Sequence, residues 1–150
     1  MGTNDPYDRI QAALEKRLLT LTELPMRSNG TTPAVEVENV VYTPENGRVW
    51  LSCQLTPSAA SRKTAGDGGY SRIDGAFKIA VRGPFGSGTA ALRVLADRVV
   101  QHFKSGTTLT DGGITVIVLA SRRDAGFRPD SSEWYEIPTY VEWYVHSDKV

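Results

Sequence analysis

A single cysteine, Cys53, stands in the whole sequence, which excludes an intrachain disulfide and a cysteine-based zinc cage. A reducing, cytosolic site of synthesis fits that usage. Histidine is almost as scarce, with only His102 and His146. Net charge is missing too: 17 basic residues balance 17 acidic ones, so no general field draws the chain to nucleic acid or to an anionic membrane. Any such binding would need a local patch. No apolar run approaches the roughly 20 residues of a spanning helix. The stretch from Met1 to Asp8 is polar and acidic rather than basic and then apolar, and it is expected to be no signal peptide. Asn29-Gly30-Thr31 matches the glycosylation acceptor pattern but is expected to be an ordinary turn.

What remains is enough for one domain. The 150 residues are 40% hydrophobic and 23% charged, a balance that supports one buried core and argues against wholesale disorder. Asp5-Pro6 reads as a helix start. Tyr7, Ile10, Leu14, Leu18 and Leu21 follow at helical spacing, and Leu24-Pro25 is expected to end the helix. Val35 and Val37 alternate with Glu36 and Glu38, which reads as a strand. After a turn at Thr43 to Gly47, Val49, Leu51, Cys53 and Leu55 form a second strand, expected to be hairpinned to the first with Cys53 on its apolar side. Pro57 to Tyr70 has no apolar period, and residues 57–72 are expected to be a long mobile loop. Phe77, Ile79 and Val81 face one way on a third strand, Arg72 to Arg82, with Lys78 and Arg82 on the other side.

Leu92, Leu95, Ala96, Val99, Val100 and Phe103 make a continuous helical stripe, expected to be capped by Ser87 or Thr89 at its start and by Gly106 at its end. Thr107 to Leu109 is a short extended piece, and Asp111-Gly112-Gly113 is a hairpin turn. The apolar run Ile114 to Leu119 suggests a central strand buried on both faces. Ala120 to Glu133 reads as a polar loop. Tyr135, Ile137, Val141, Trp143 and Val145 then alternate along a last strand, where Pro138 suggests an edge or a bulge. The reading is a single α+β domain over 1–150, with 1–5 and 147–150 frayed. It has two layers: a mixed, mostly antiparallel sheet of about five strands and two helices packed on one face, in the order α-β-β-β-α-β-β.

Grouped reactive side chains are the last absence. His102, at the end of the second helix, is expected to meet free carbonyls there, and His146 lies near the C-terminal end of the sequence. Cys53 on an apolar strand face is expected to be inert core. Gly86 to Ala91 matches the G-x-G-x-x-A dinucleotide pattern between a strand and a helix. The acidic residue it requires about 20 positions on is Asp111, in a glycine turn rather than at a strand end. Glu36 and Glu38 are expected to sit on a solvated or intersubunit face. No catalytic, cofactor-binding or metal-binding residues are assigned, and the chain is expected not to be an enzyme.

Four segments carry a resemblance. They are Val37-Glu38-Asn39-Val40-Val41-Tyr42-Thr43-Pro44 with Gly47 and the strand Val49 to Leu55; Gly75-Ala76-Phe77-Lys78-Ile79-Ala80-Val81 followed by Pro84; the Gly88-to-Phe103 helix with its small first residues; and Trp134-Tyr135 with the closing strand through Tyr144. In this order, from about Tyr7 to His146, the chain resembles the bacteriophage (siphophage) tail terminator-like, or minor tail, proteins.

The resemblance implies a ring, usually hexameric, at the head-proximal end of the virion tail. Such a ring docks on the last ring of the major tail tube protein, stops polymerisation and offers a surface to the head–tail connector. DNA passes through its lumen without specific binding. It implies no cofactor, no catalytic residue and no membrane. Expected contact residues are Arg62, Lys63 and Arg72 around the first long loop, Arg122, Arg123 and Arg128 in the second, and the aromatics Trp134, Tyr140 and Tyr144 on the last strand, opposite its core residues. The arginine loops fit either docking to acidic tube subunits or phosphates, or plain solvation. The aromatics fit either an interface or a second packing layer under the first helix. Rival readings are a head-completion or connector subunit of the neck, a nucleotide-binding enzyme using Gly86 to Ala91, and a nucleic-acid binder using the basic loops.

Overall fold

The computed structural model describes residues 6–38, 40–57, 61–62 and 71–146. The termini expected to fray, most of the first long loop and Lys63 lie outside them. Helix α1 spans Pro6–Leu19, with Asp8 in its first turn and Lys16 and Arg17 in its last, as the helix dipole favours. It stops short of the expected Leu24-Pro25, yet Leu21 and Leu24 are still buried by the turns that follow. The strands are β1 (Val35–Glu36), β2 (Trp50–Pro57), β3 (Ser61–Arg62), β4 (Ser71–Pro84), β5 (Thr108–Asp111), β6 (Ile114–Arg123) and β7 (Trp134–His146), and helix α2 (Ala90–His102) falls between β4 and β5.

The strands form one mixed sheet in the order β1-β2-β4-β7-β6-β5, with β3 beside β4, so it has seven strands rather than about five. All pairs are antiparallel except β1 with β2, which is parallel, with Val35 opposite Leu51. The expected hairpin between the first two strands is therefore wrong. The chain leaves β1 through a turn at Val37 to Val40 and returns to start β2 in the same direction. Alternation gives two strands but not their relative direction.

The core is one cluster. Ile10, Leu14 and Leu18 of α1 and Leu92, Leu95, Ala96 and Val99 of α2 meet Leu51, Cys53, Leu55, Phe77, Ile79, Val81, Val141 and Trp143 of the sheet. On β4 and β7 the side chains of the core cluster are odd-numbered, from Ile73, Phe77, Ile79 and Val81 to Ile137, Val141, Trp143 and Val145, so the even-numbered residues, among them the buried Ala80, Glu136 and Pro138, form the opposite, outer face. The longest strands, β4 and β7, are the central ones. The apolar run at β6 is not central: only the short β5 lies beyond it, and its burial alternates, with Ile114, Val116 and Val118 inside and Thr115 and Leu119 exposed.

Strand β6 also runs on to Arg123, through what was expected to be loop. A register shift between Val118 and Ala120 makes Leu119 an extra residue and reverses the alternation. Beyond it Ser121 donates to Val100 O of α2 and Arg123 reaches Asp97 of α2, while Arg122 pairs across to Tyr140 on the outer face.

Pro138 lies inside the sheet opposite Ala80, buried, not at an edge. Its carbonyl accepts from Asp124 N, so its missing N–H points to the same side, where regular pairing with β6 ends at Arg123 opposite Thr139. No ladder bond to β4 is lost. The β5–β6 hairpin turns on Gly112 and Gly113, both at positive φ (58° and 88°), as a tight hairpin requires.

The caps differ from expectation. Thr89 is the N-cap of α2 but makes no side-chain capping bond, and Ser87 Oγ donates back to Pro84 O instead. Phe103 is the C-cap, and Gly106, though at φ +90°, donates its N–H to Val118 O. Asn29 does form the expected turn, its Oδ1 accepting from Thr31 N and Thr32 N.

Candidate functional site

The outer face is built from β2, β4, β7 and β6. At one end Glu136, only 3% exposed, lies between Lys78 Nζ at 3.2 Å and Arg82 Nη2 at 3.0 Å. Two cations thus face this buried carboxylate. The Arg82 guanidinium also lies 4.9 Å from the Trp50 ring centre. Trp50 stacks on Tyr42 at 5.3 Å and meets the edge of Trp134 at 5.8 Å. Trp134 thus belongs to an aromatic cluster that covers this end of the sheet.

Further along, the side chains stand in cross-strand rows. One row is Gln54, Lys78, Tyr140 and Arg122, with the guanidinium of Arg122 over the Tyr140 ring at 4.5 Å and bonded to Asp124 at 2.5 Å. Two residues on is Thr56, Ala76, Glu142 and Ala120. Next come Asp74, Tyr144 and Ile117, with Arg72 over Tyr144 at 4.2 Å and bonded to Asp74 at 3.1 Å. The middle row is short between two bulky ones. It forms a slot across the strands, part of a hollow of about 350 Å³ that Asp74, Leu119 and Tyr140 also line. Glu142 stands exposed in it without an ion-pair partner among the described residues.

The expected contact residues therefore divide. Arg122 and Tyr140 line the hollow with Glu142, Arg72 and Tyr144 pair in the next row of the same face, and Trp134 lies at its far end. Neither tyrosine sits under α1, whose side chains pack on the other face. Arg123 turns away and bonds Asp97 at 2.6 Å. Arg128 holds Ser132 O at 2.6 Å and lies 4.0 Å over the exposed Phe85 ring. The backbone of Arg62 pairs with Ser71, so a strand enters what was expected to be loop. Lys78, Arg82, Glu136, Trp50 and Glu142 were missed. Alternation puts them on the outer face, but only cross-strand register shows which of them meet.

Cys53, His102 and Glu38 are each buried or engaged. Cys53 is 5% exposed, and burial, with Glu15, Glu38 and Glu36 nearby, pushes its thiol up to about 12. His102 Nε2 lies 2.7 Å from Arg17 O, at the end of α1 rather than of its own helix, and Arg17 donates to His102 O in return. Burial lowers its affinity for a proton. Glu38 Oε1 accepts from Leu55 N at 2.9 Å, closing part of the β2 edge. Strand β5 does not lie beside β4, so Gly86 to Ala91 stands outside any parallel βαβ unit. Among the described residues no group of three or more His, Cys, Asp and Glu is placed to hold a metal, and no helix is long and apolar enough to cross a membrane.

Comparison with known proteins adds the following. The family described as phage tail terminator protein matches residues 9–143. One solved chain is 26% identical, with a TM-score of 0.67, over 93% of this chain and 94% of its own length. A chain of the virion of native gene transfer agent (GTA) particle is 20% identical, with a TM-score of 0.58, over 96% of this chain and 99% of its own, a likeness of fold. No curated protein matches the sequence.

Proposed function

The chain belongs to the phage tail terminator family, a structural protein of the virion tail, and on that premise we propose that it closes the tail. In this reading copies of the chain form a ring, hexameric as the resemblance implies, on the last ring of the major tail tube protein. The ring stops polymerisation by covering the tube end and offers its other side to the head–tail connector. DNA passes through the lumen without specific contacts, in keeping with the balanced charge. The work is steric, with no reaction and no cofactor.

The observation that carries this is the family match across residues 9–143, which takes in most of α1, all of α2 and almost the whole sheet. The outer face supports it. That face holds arginines stacked on tyrosines and a carboxylate with no ion-pair partner among the described residues, composition suited to a protein interface. A ring needs two different patches on each subunit, so that head-to-tail contacts can close.

Electron microscopy of purified protein mixed separately with tail tubes and with DNA-filled heads tests the assignment. The expected result is density at one end of the tubes. Binding to filled heads alone would assign the protein to the neck instead.

A further inference from the structure

The slot around Glu142 joins a hollow to a carboxylate that forms no ion pair among the described residues. Its floor is Ala76 and Ala120, the residues opposite Glu142 on the two neighbouring strands. The row on one side is Tyr140 under Arg122, and on the other Tyr144 under Arg72. Each of these arginines already has its own carboxylate, Asp124 or Asp74. Glu142 has none among the described residues. An extended side chain with an aliphatic stem and a cationic head fits such a slot: the stem lies against the tyrosines and the head meets the carboxylate.

We propose that the slot receives Arg62 or Lys63 of a second copy of this chain, and that this contact joins neighbouring subunits of the ring. The inference rests on the ring reading above. Charge complementarity selects the occupant. From Pro57 to Tyr70 the sequence carries Arg62 and Lys63 against only Asp67. Strand β3 continues this segment past the end of β2, with Arg62 opposite Ser71.

The backbone of the same chain's Arg62 stands away from the slot. Ser71 is five residues along β4 from Ala76, which faces Glu142, a distance of roughly 16 Å at strand rise. An ion pair closes only within about 4 Å. Strand β3 therefore leads away from the slot of its own chain, and in the proposed contact a neighbouring copy supplies the slot that this segment meets. Most other described cations are already held: Lys16 by Asp111, Lys78 and Arg82 by Glu136, Arg98 by Glu23 and Arg123 by Asp97. A contact between two different patches is head-to-tail, the kind that generates rings.

The test measures self-association by sedimentation over a concentration series for the parent, Glu142→Lys, Glu142→Gln, Arg62→Glu with Lys63→Glu, and the chain carrying Glu142→Lys together with Arg62→Glu and Lys63→Glu. Each charge reversal is expected to weaken association about tenfold or more, and their combination to restore most of it. Melting temperatures identify any variant that misfolds; if Glu142→Lys does, Glu142→Gln carries the test. Zero-length carboxyl–amine coupling of a mixture of isotopically heavy and light chains is expected to join Lys63 of one to Glu142 of the other.

Parent-like association of both Glu142 variants overturns the proposal. So does the absence of mixed-isotope products, or a parent that stays monomeric throughout. Tube capping is scored in parallel. If Glu142→Lys caps tubes as the parent does, the slot contact falls and the terminator reading stands. If the parent itself does not cap them, that reading falls.

Discussion

Two glutamates on the same strand face, Glu136 and Glu142, behave in opposite ways. Glu136 is buried between Lys78 and Arg82, whereas Glu142 is exposed between two tyrosines. Replacing Glu136 by Gln leaves two cations facing a neutral group, but both are partly solvated, at 32% and 28% side-chain exposure. The expected loss of stability is therefore about 1–3 kcal/mol, below the cost of stranding a fully buried charge. Glu142→Gln is expected to change stability by less than about 0.5 kcal/mol. Urea unfolding of the two variants beside the parent checks both values, and equal effects would show that the burial difference has no energetic weight. The alternation Tyr135 to Val145 already puts both glutamates on the outer side in the sequence. Which of them is buried was not legible there, because it depends on Lys78 and Arg82, more than fifty residues earlier in the chain.

The elements were more legible than their arrangement. Helical stripes located both helices, and alternation located β2, β4 and β7. Direction and order were not legible. Val35 to Glu38 fits a strand of either sense, and Ile114 to Leu119 reads as a doubly buried strand although only one of its faces is covered. The bulge at Leu119 was invisible because one extra residue changes register without changing composition. Strand β4 bears a constraint of its own. A Cβ on Gly75 would lie 2.5 Å from Trp143 Cζ2 and 2.7 Å from the backbone oxygen of Thr56. Because backbone cannot swing aside as a side chain does, Gly75→Ala is expected to destabilise by about 1–3 kcal/mol, measured by thermal unfolding.

The two helices are tied at their C-terminal ends by His102 and Arg17, and this junction sets a pH dependence. The folded-state pKa of His102 is lowered, first by burial, from an ordinary value of 6.5. The unfolded chain therefore binds the proton more readily. The contribution of His102 is complete above pH 6.5 and is lost as pH falls through its lower folded value. Melting temperature is expected to drop as pH is lowered through that window, and His102→Gln to flatten this part of the profile. An unchanged slope in the variant would place the titration elsewhere.

On the scale of the whole molecule, the family was legible in the sequence: the ordered segments from Val37 to Tyr144 resemble the tail terminator proteins, and the family match covers all but the last residue of them. The arrangement of the outer face was only half legible. The stacking of Arg72 on Tyr144 and of Arg122 on Tyr140 brings residues of different strands together, and no spacing rule in the sequence registers that. Arg123 and Arg128 were grouped with Arg122 by proximity in sequence, but a single-residue bulge and a local turn send them to other parts of the molecule.

The most direct test of the account is the length of tail tubes grown from purified tube protein with and without this protein. With it, tubes are expected to stop lengthening once capped, so that mean length falls as its concentration rises and each stopped tube carries a ring at one end. Tubes that grow to the same length distribution at every concentration, with bare ends, would contradict it.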